Sequence, residues 1–214
     1  MNRKEHWNQV YETKAPDDVS WFQTRPGISL SLIEAAGSGK DEGIIDVGGG
    51  ASVLVDCLLD AGFNKVAVLD ISAAALARSR ERLGARAGLV EWFNADVTAF
   101  NPPRQFKLWH DRAVFHFLTD KGDREKYVQA LKRALVPDGH VIIATFAIDG
   151  PLKCSGLEVA RYDAPLICAE LGPDFRLLEQ VDETHTTPWD TKQNFSYFRF
   201  ARNAARRRGN RASD

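Results

Sequence analysis

Two hydrophobic periods take turns along this chain. Short runs rich in β-branched and aromatic residues recur at "GIIDV" (43–47), "KVAVLD" (65–70), "LVEWFN" (89–94), "QFKLWHD" (105–111) and "GHVIIATFA" (139–147). Between most of them the spacing turns helical, in "ASVLVDCLLDAG" (51–62), "SAAALARSRERLG" (72–84) and "REKYVQALKRALVPDG" (124–139). The first two helical segments close on glycine and the third on Pro137 and Gly139, as helix ends favour. Strand–helix–strand repetition predicts an α/β fold, doubly wound on a mostly parallel sheet with right-handed crossovers. After Asp174 the alternation stops. "FRLLEQVDETHTTP" and "TKQNFSYFRFAR" predict two long strands with no helix between them, an antiparallel C-terminal hairpin that completes a seven-stranded sheet. In front, residues 3–13 and 26–37 predict two helices joined by the aromatic link "VSWFQTRPG". The expected organisation is a helical cap over 1–40, one ligand-binding domain over 41–201, and a basic, disordered tail over 202–214.

Composition narrows the classes. A chain of 214 residues, 44% hydrophobic, can bury one full core. No apolar run approaches the ~18 residues of a membrane span, and the polar, charged N-terminus is unlike a signal peptide. Cys57, Cys154 and Cys168 lie far apart, without the close spacing of a disulfide framework or a zinc knuckle. A reduced, cytoplasmic setting is therefore expected, with no membrane partner and no metal. The net charge of −1 is uneven: six arginines and one acid fall in 199–214, leaving 22 basic and 28 acidic groups, a net −6, before them. An acidic body with a basic ending argues against nucleic acid as the main partner.

The stretch "IIDVGGGAS" carries the chemistry. Glycines after the first strand let backbone N–H groups approach a ligand where the next helix presents its positive end. The run Gly48, Gly49, Gly50 is followed by Ser52, without the last glycine of a dinucleotide G-x-G-x-x-G, and an acid, Asp46, precedes it. That carboxylate would repel a pyrophosphate and suit a cationic ligand. Asp70 ends the second strand, where a carboxylate can accept from ribose hydroxyls, and Ser72 can cap the next helix. Asp96 lies just beyond the third strand, where it can accept from an adenine amino group. Three acids at three successive strand ends form a stronger signal than any one of them.

On these residues the chain resembles the class I, seven-strand S-adenosylmethionine-dependent methyltransferases, over roughly residues 40–200. "IIDVGGGAS", "VLDIS", "NADV" and "LVPDGHVIIATF" carry the likeness. The resemblance implies S-adenosylmethionine as cofactor and S-adenosylhomocysteine as product. It implies that Asp46, Gly48, Gly49, Gly50 and Ser52 form the loop by the methionine end, and that Asp70 and Ile71 hold the ribose. Asp96 and Val97 are implied at the adenine, and His110 and Trp21 at the cofactor as well. "HWNQVYETKAPDDVSWFQ" is similar to the aromatic cap of small bacterial members, placing Trp7, Tyr11, Trp21 and Phe22 over the ligand.

Methyl transfer from a sulfonium is an in-line displacement that depends on positioning and on excluding water. A base is needed only if the acceptor arrives protonated. Candidates for catalysis sit at the end of the fourth strand, in "WHDRAVFHF": His110, Asp111, Arg112 and His116. Arg112 can hold an anionic substrate or pair with Asp111. The loop and helix over 149–165 are the other expected acceptor wall, with Cys154, Arg161 and Tyr162, joined by His185 from the hairpin tip. "NPPR" at 101–104 precedes the fourth strand and ends in arginine, so it is a two-proline turn rather than a base-stacking motif. A small-molecule acceptor is expected for a monomer or homodimer of this size. The alternatives are a protein lysine, a non-catalytic cofactor-binding module, and a NAD-dependent dehydrogenase on the same sheet.

Overall fold

The computed structural model describes residues 2–15 and 18–204. Five strands run parallel: β1 (Ile44–Val47), β2 (Val66–Asp70), β3 (Val90–Asn94), β4 (Phe106–Arg112) and β5 (Leu135–Phe146). Two short antiparallel strands, β6 (Lys153–Cys154) and β7 (Leu157–Glu158), make a separate ribbon. The long hairpin β8 (Phe175–Thr186) and β9 (Lys192–Arg202) joins the main sheet antiparallel to β5. Strand order is β3-β2-β1-β4-β5-β9-β8, seven strands as expected. The order reverses between β1 and β4, and ligands of open α/β sheets bind in the crevice at that switch.

Among the described residues six α-helices pack around the sheet: α1 (Arg3–Thr13), α2 (Gly27–Ala35), α3 (Leu54–Asp60), α4 (Ala73–Leu83), α5 (Lys121–Ala134) and α6 (Ala164–Leu171). Leu32, Ile33, Leu54, Val55, Leu58 and Leu76 from α2, α3 and α4 bury one face, against Ile44, Val68 and Leu108. Tyr127, Leu131, Ile167 and Leu171 from α5 and α6 bury the other, against Ile45, Trp109 and Ile143. Both faces are covered, which is why Ile44, Ile45 and the run Val66–Leu69 are apolar toward both sides of the sheet.

Three expectations need correction. The helix over 124–139 begins earlier, capped by Asp120, and stops at Ala134, because Pro137 disfavours helical geometry just before it. Residues 135–139 instead enter β5 through a bulge, with Phe106 opposite Leu135 and Leu108 opposite His140. The stretch after β5 is no irregular loop, since β6 and β7 turn through Ser155 (φ 48°) and Gly156 (φ 78°), a pair of left-handed residues that suits a tight hairpin. The basic tail lies outside the described residues from 205 onward, and Arg202 itself belongs to β9. No helix among the described residues is long and apolar enough to cross a membrane.

Candidate active site

The cleft opens above the carboxyl ends of β1 to β4 and has two adjoining halves that share Tyr11, Trp21, Val47, Gly48 and Arg112. The larger half is floored by Asp70, Ile71, Asp96 and Val97, walled by Ala113, Val114 and Phe117, and roofed by Arg3 and Trp7 of α1. Asp46, Gly49, Ser52, His110 and Ser29 line the smaller half. The roof is anchored at three points. Arg3 pairs with Asp96 and Asp123 at 3.3 and 3.1 Å. Asn8 accepts from the Ser72 hydroxyl at 2.8 Å, and Trp7 meets Phe117 edge-on at 4.9 Å between centroids.

Each glycine of the run is demanded by a neighbour. A Cβ on Gly48, whose φ is +71°, would sit 2.0 Å from a Val114 methyl. One on Gly49 would sit 2.1 Å from Asp46 Oδ2, and one on Gly50 2.5 Å from both Ala75 Cβ and Asp70 Oδ2. The Asp70 carboxylate accepts from the Gly50 N–H at 2.9 Å and the Ser72 N–H at 2.7 Å, so the second strand end and the glycine loop hold each other. Burial nonetheless pushes Asp70 up to about 6, against which these backbone donors work. Ser52 Oγ accepts from the Leu54 N–H at 3.0 Å, serving the start of α3 where a glycine would offer nothing. Asp96 accepts from the N–H and hydroxyl of Thr98 at 2.8 and 2.7 Å while facing Arg3.

At the smaller half, His110 lies beside Asp46 in the parallel ladder. Its Nδ1 is 2.7 Å from Asp46 Oδ1 and its Nε2 2.9 Å from Ser29 Oγ. Asp46 Oδ2 is buried with no hydrogen-bond partner. A bare, buried carboxylate oxygen is costly unless a cation meets it.

The residues expected to act on the acceptor divide. Arg112 lines both halves, held by Nε donating to Tyr197 Oη at 2.8 Å and Nη1 donating to the Trp21 carbonyl at 2.9 Å. Glu183, not Asp111, is its nearest acid, at 3.9 Å. Asp111 points to the opposite face of the sheet, since neighbours on a strand alternate. There it is fully buried and accepts from Tyr127 Oη (2.7 Å) and the Val114 N–H (2.9 Å). Burial holds it up at about 6. His116 is fully buried among Phe117, Phe146 and Phe195, its Nδ1 accepting from the Phe146 N–H, and burial pushes it down to about 3. His110 stands at the cleft with both ring nitrogens engaged.

Cys154, Arg161, Tyr162 and His185 line neither half. Cys154 contacts Ser20 at 3.8 Å, Arg161 donates to the Gly150 carbonyl, and Tyr162 packs on Phe115 in the core. His185 meets the Ser20 carbonyl through Nε2 and borders a separate surface depression with Phe22 and Gln23. These four residues of the expected acceptor wall thus stand outside the cleft, which α1, Trp21 and residues 112–118 line instead. Ser29, Tyr197 and Glu183 escaped sequence reasoning because nothing local marks a serine, or a tyrosine or glutamate within a strand, as the partner of residues 71 to 85 positions away. Among the described residues no three His, Cys, Asp or Glu side chains cluster as a metal site would require.

Residues 44–139 match the family model described as a methyltransferase domain. The chain's fold is that of the S-adenosylmethionine-dependent methyltransferases. Among solved structures it is similar to the N-methyltransferase NodS from Bradyrhizobium japonicum in complex with S-adenosylhomocysteine, at 17% identity, TM-score 0.69, covering 91% of this chain and 97% of that one. A S-adenosylmethionine-dependent methyltransferase from Anabaena variabilis aligns at 14% identity and TM-score 0.73, over 95% and 96% of the two chains. The 1,6-didemethyltoxoflavin-N1-methyltransferase of Burkholderia thailandensis aligns at 15% identity and TM-score 0.69, over 94% and 87%. At these identities the likeness is one of fold. No curated protein matches the sequence. The geometry of the site fits S-adenosylmethionine: an uncompensated carboxylate oxygen for a cation, a buried acid at the second strand end, and a glycine run with no space for side chains.

Proposed function

We propose that this protein is an S-adenosylmethionine-dependent methyltransferase that acts on a small-molecule acceptor, chiefly by positioning it against the cofactor in a cleft shielded from water. The observation that carries this reading is the roof: Tyr11 and Trp21 close over both halves and Trp7 over the larger, and they suit a compact acceptor better than a polymer. Bound S-adenosylmethionine supplies a methyl group on a sulfonium, an electrophile that needs no further activation. Asp46 Oδ2 would take the ammonium at its amino-acid end, where the buried oxygen lacks a partner. Asp70 would accept from the ribose hydroxyls with the lone pairs that Gly50 and Ser72 leave free. Ile71 and Val97 would flank the adenine, and Asp96 would share its carboxylate between Arg3 and the adenine amino group.

On the acceptor side, Arg112 presents the one guanidinium common to both halves and would steer an anionic group of the acceptor. His110, Asp111 and His116 are each engaged or buried away from the cleft. We therefore read the acceptor as a nucleophile that arrives with a free lone pair. The 1,6-didemethyltoxoflavin bound to the Burkholderia protein is a small molecule, which supports the acceptor class by analogy. The test is transfer of labelled methyl to a lysate separated into small-molecule, protein and nucleic-acid fractions. Label in the small-molecule fraction is expected. Label confined to protein would replace this reading with lysine methylation, and cofactor binding with no label in any fraction would make the chain a binding module.

A further inference from the structure

Three side chains far apart in sequence form one hydrogen-bonded row at the smaller half of the cleft. Ser29 comes from α2, His110 from β4 and Asp46 from β1, and their exposures are only 1%, 2% and 2%. Ser29 Oγ to His110 Nε2 is 2.9 Å, and His110 Nδ1 to Asp46 Oδ1 is 2.7 Å. Every polar side-chain atom in the row has a partner except Asp46 Oδ2. That oxygen faces the glycine run, since a Cβ on Gly49 would fall 2.1 Å from it. A neutral imidazole has one donor and one acceptor nitrogen, and the partner of one nitrogen sets the other. Ser29 donating to Nε2 leaves the proton on Nδ1, where it binds Asp46.

We propose that Ser29 and His110 are positioning residues that pin the Asp46 carboxylate with Oδ2 turned into the cleft, as the specificity element for the cofactor's α-ammonium. This rests on the reading that the cleft takes S-adenosylmethionine. Burying three polar groups costs stability, and a plain core would be served as well by apolar residues. The row earns its place by keeping the carboxylate aimed. Without the Nδ1 donor the carboxylate is free to turn, and turning removes the site for a cation. The row also ties α2, outside the matched 44–139 segment, to ligand recognition.

The experiment compares two probes by calorimetry on the full chain. S-adenosylhomocysteine carries the amino-acid end, and 5′-methylthioadenosine is the same adenosine thioether without it. His110→Phe should weaken S-adenosylhomocysteine at least about tenfold, the worth of a charge-assisted contact, and leave methylthioadenosine within about twofold. Ser29→Ala should move the first probe in the same direction by a few-fold. His110→Asn, whose amide nitrogen reaches the place of Nδ1, should recover most of the loss. Both probes weakening together would make the row merely structural and overturn the proposal, as would unchanged affinity for both. Should His110→Phe fail to give a cooperative melt, the ratio of the two affinities in Ser29→Ala and His110→Asn decides. A wild-type chain that binds neither probe would instead overturn the cofactor reading itself.

Discussion

Replacing Asp70 with asparagine separates what this residue does for the ligand from what it does for the fold. Its carboxylate holds two backbone N–H groups, at 2.9 and 2.7 Å, and burial lifts it from 3.8 to about 6. A folded-state value raised above the unfolded one means that the native protein binds this proton more tightly. The stabilisation is present below pH ~4 and is lost as pH rises through about 6, leaving a cost of about 3 kcal/mol at pH 7. Asparagine removes that cost. It also turns an amide N–H₂ toward one of the two backbone donors, leaving a buried donor unpaired at about 1–3 kcal/mol. The two terms oppose each other, so urea unfolding of Asp70→Asn should stay within about 2 kcal/mol of wild type. Ligand binding has no such offset. Losing a charged acceptor for the ribose hydroxyls should cost about 1.5–3 kcal/mol, or roughly 10- to 150-fold in the Kd of S-adenosylhomocysteine. Wild-type affinity should rise with pH through about 6 as the carboxylate ionises, and the variant should be flat. A variant with wild-type affinity and the wild-type pH profile would refute the assignment of Asp70 to the ribose.

Gly48→Val should lower the melting temperature and the affinity together, since its Cβ would meet Val114 at 2.0 Å on a residue with φ +71°. Val114→Ala in the same chain should restore part of both, and a wild-type melt of the single variant would contradict this packing. His116 is held neutral, down at about 3. Its stability contribution is therefore full above pH ~6.5 and is lost as pH falls, by about 2 kcal/mol between pH 7 and 5. Comparing wild type with His116→Phe over that range isolates the term, and parallel pH curves would sink it. Arg161→Ala should leave turnover within about twofold, because Arg161 lines neither half of the cleft and donates to the Gly150 carbonyl; a tenfold loss would return that segment to the acceptor wall. Arg3→Ala removes a partly exposed pair of contacts, at 36% side-chain exposure. It should change stability by no more than about 1 kcal/mol, with proteolysis near α1 as the readout of a loosened roof.

Local periodicity and motif spacing determined most of the architecture from sequence alone. The five parallel strands, the terminal hairpin and the acids at strand ends follow from patterns a few residues long, with nearest-neighbour causes. The face of each residue on β4 was also written in the alternation: His110 and Arg112 share one side and Asp111 takes the other. Reading "WHDR" as one catalytic cluster overlooked that period of two. Only the tertiary structure decided the rest. It brought Ser29 to His110 across 81 positions, Tyr197 to Arg112 across 85, and Arg3 to Asp96 and Asp123. It also tied the 149–165 segment to the stretch just after β4, where the Ala160 N–H donates to the His116 carbonyl at 2.8 Å. Such pairings depend on which helices and strands pack together after the core closes. Packing is set by shape and burial summed over the whole chain, and no short window of sequence carries that sum.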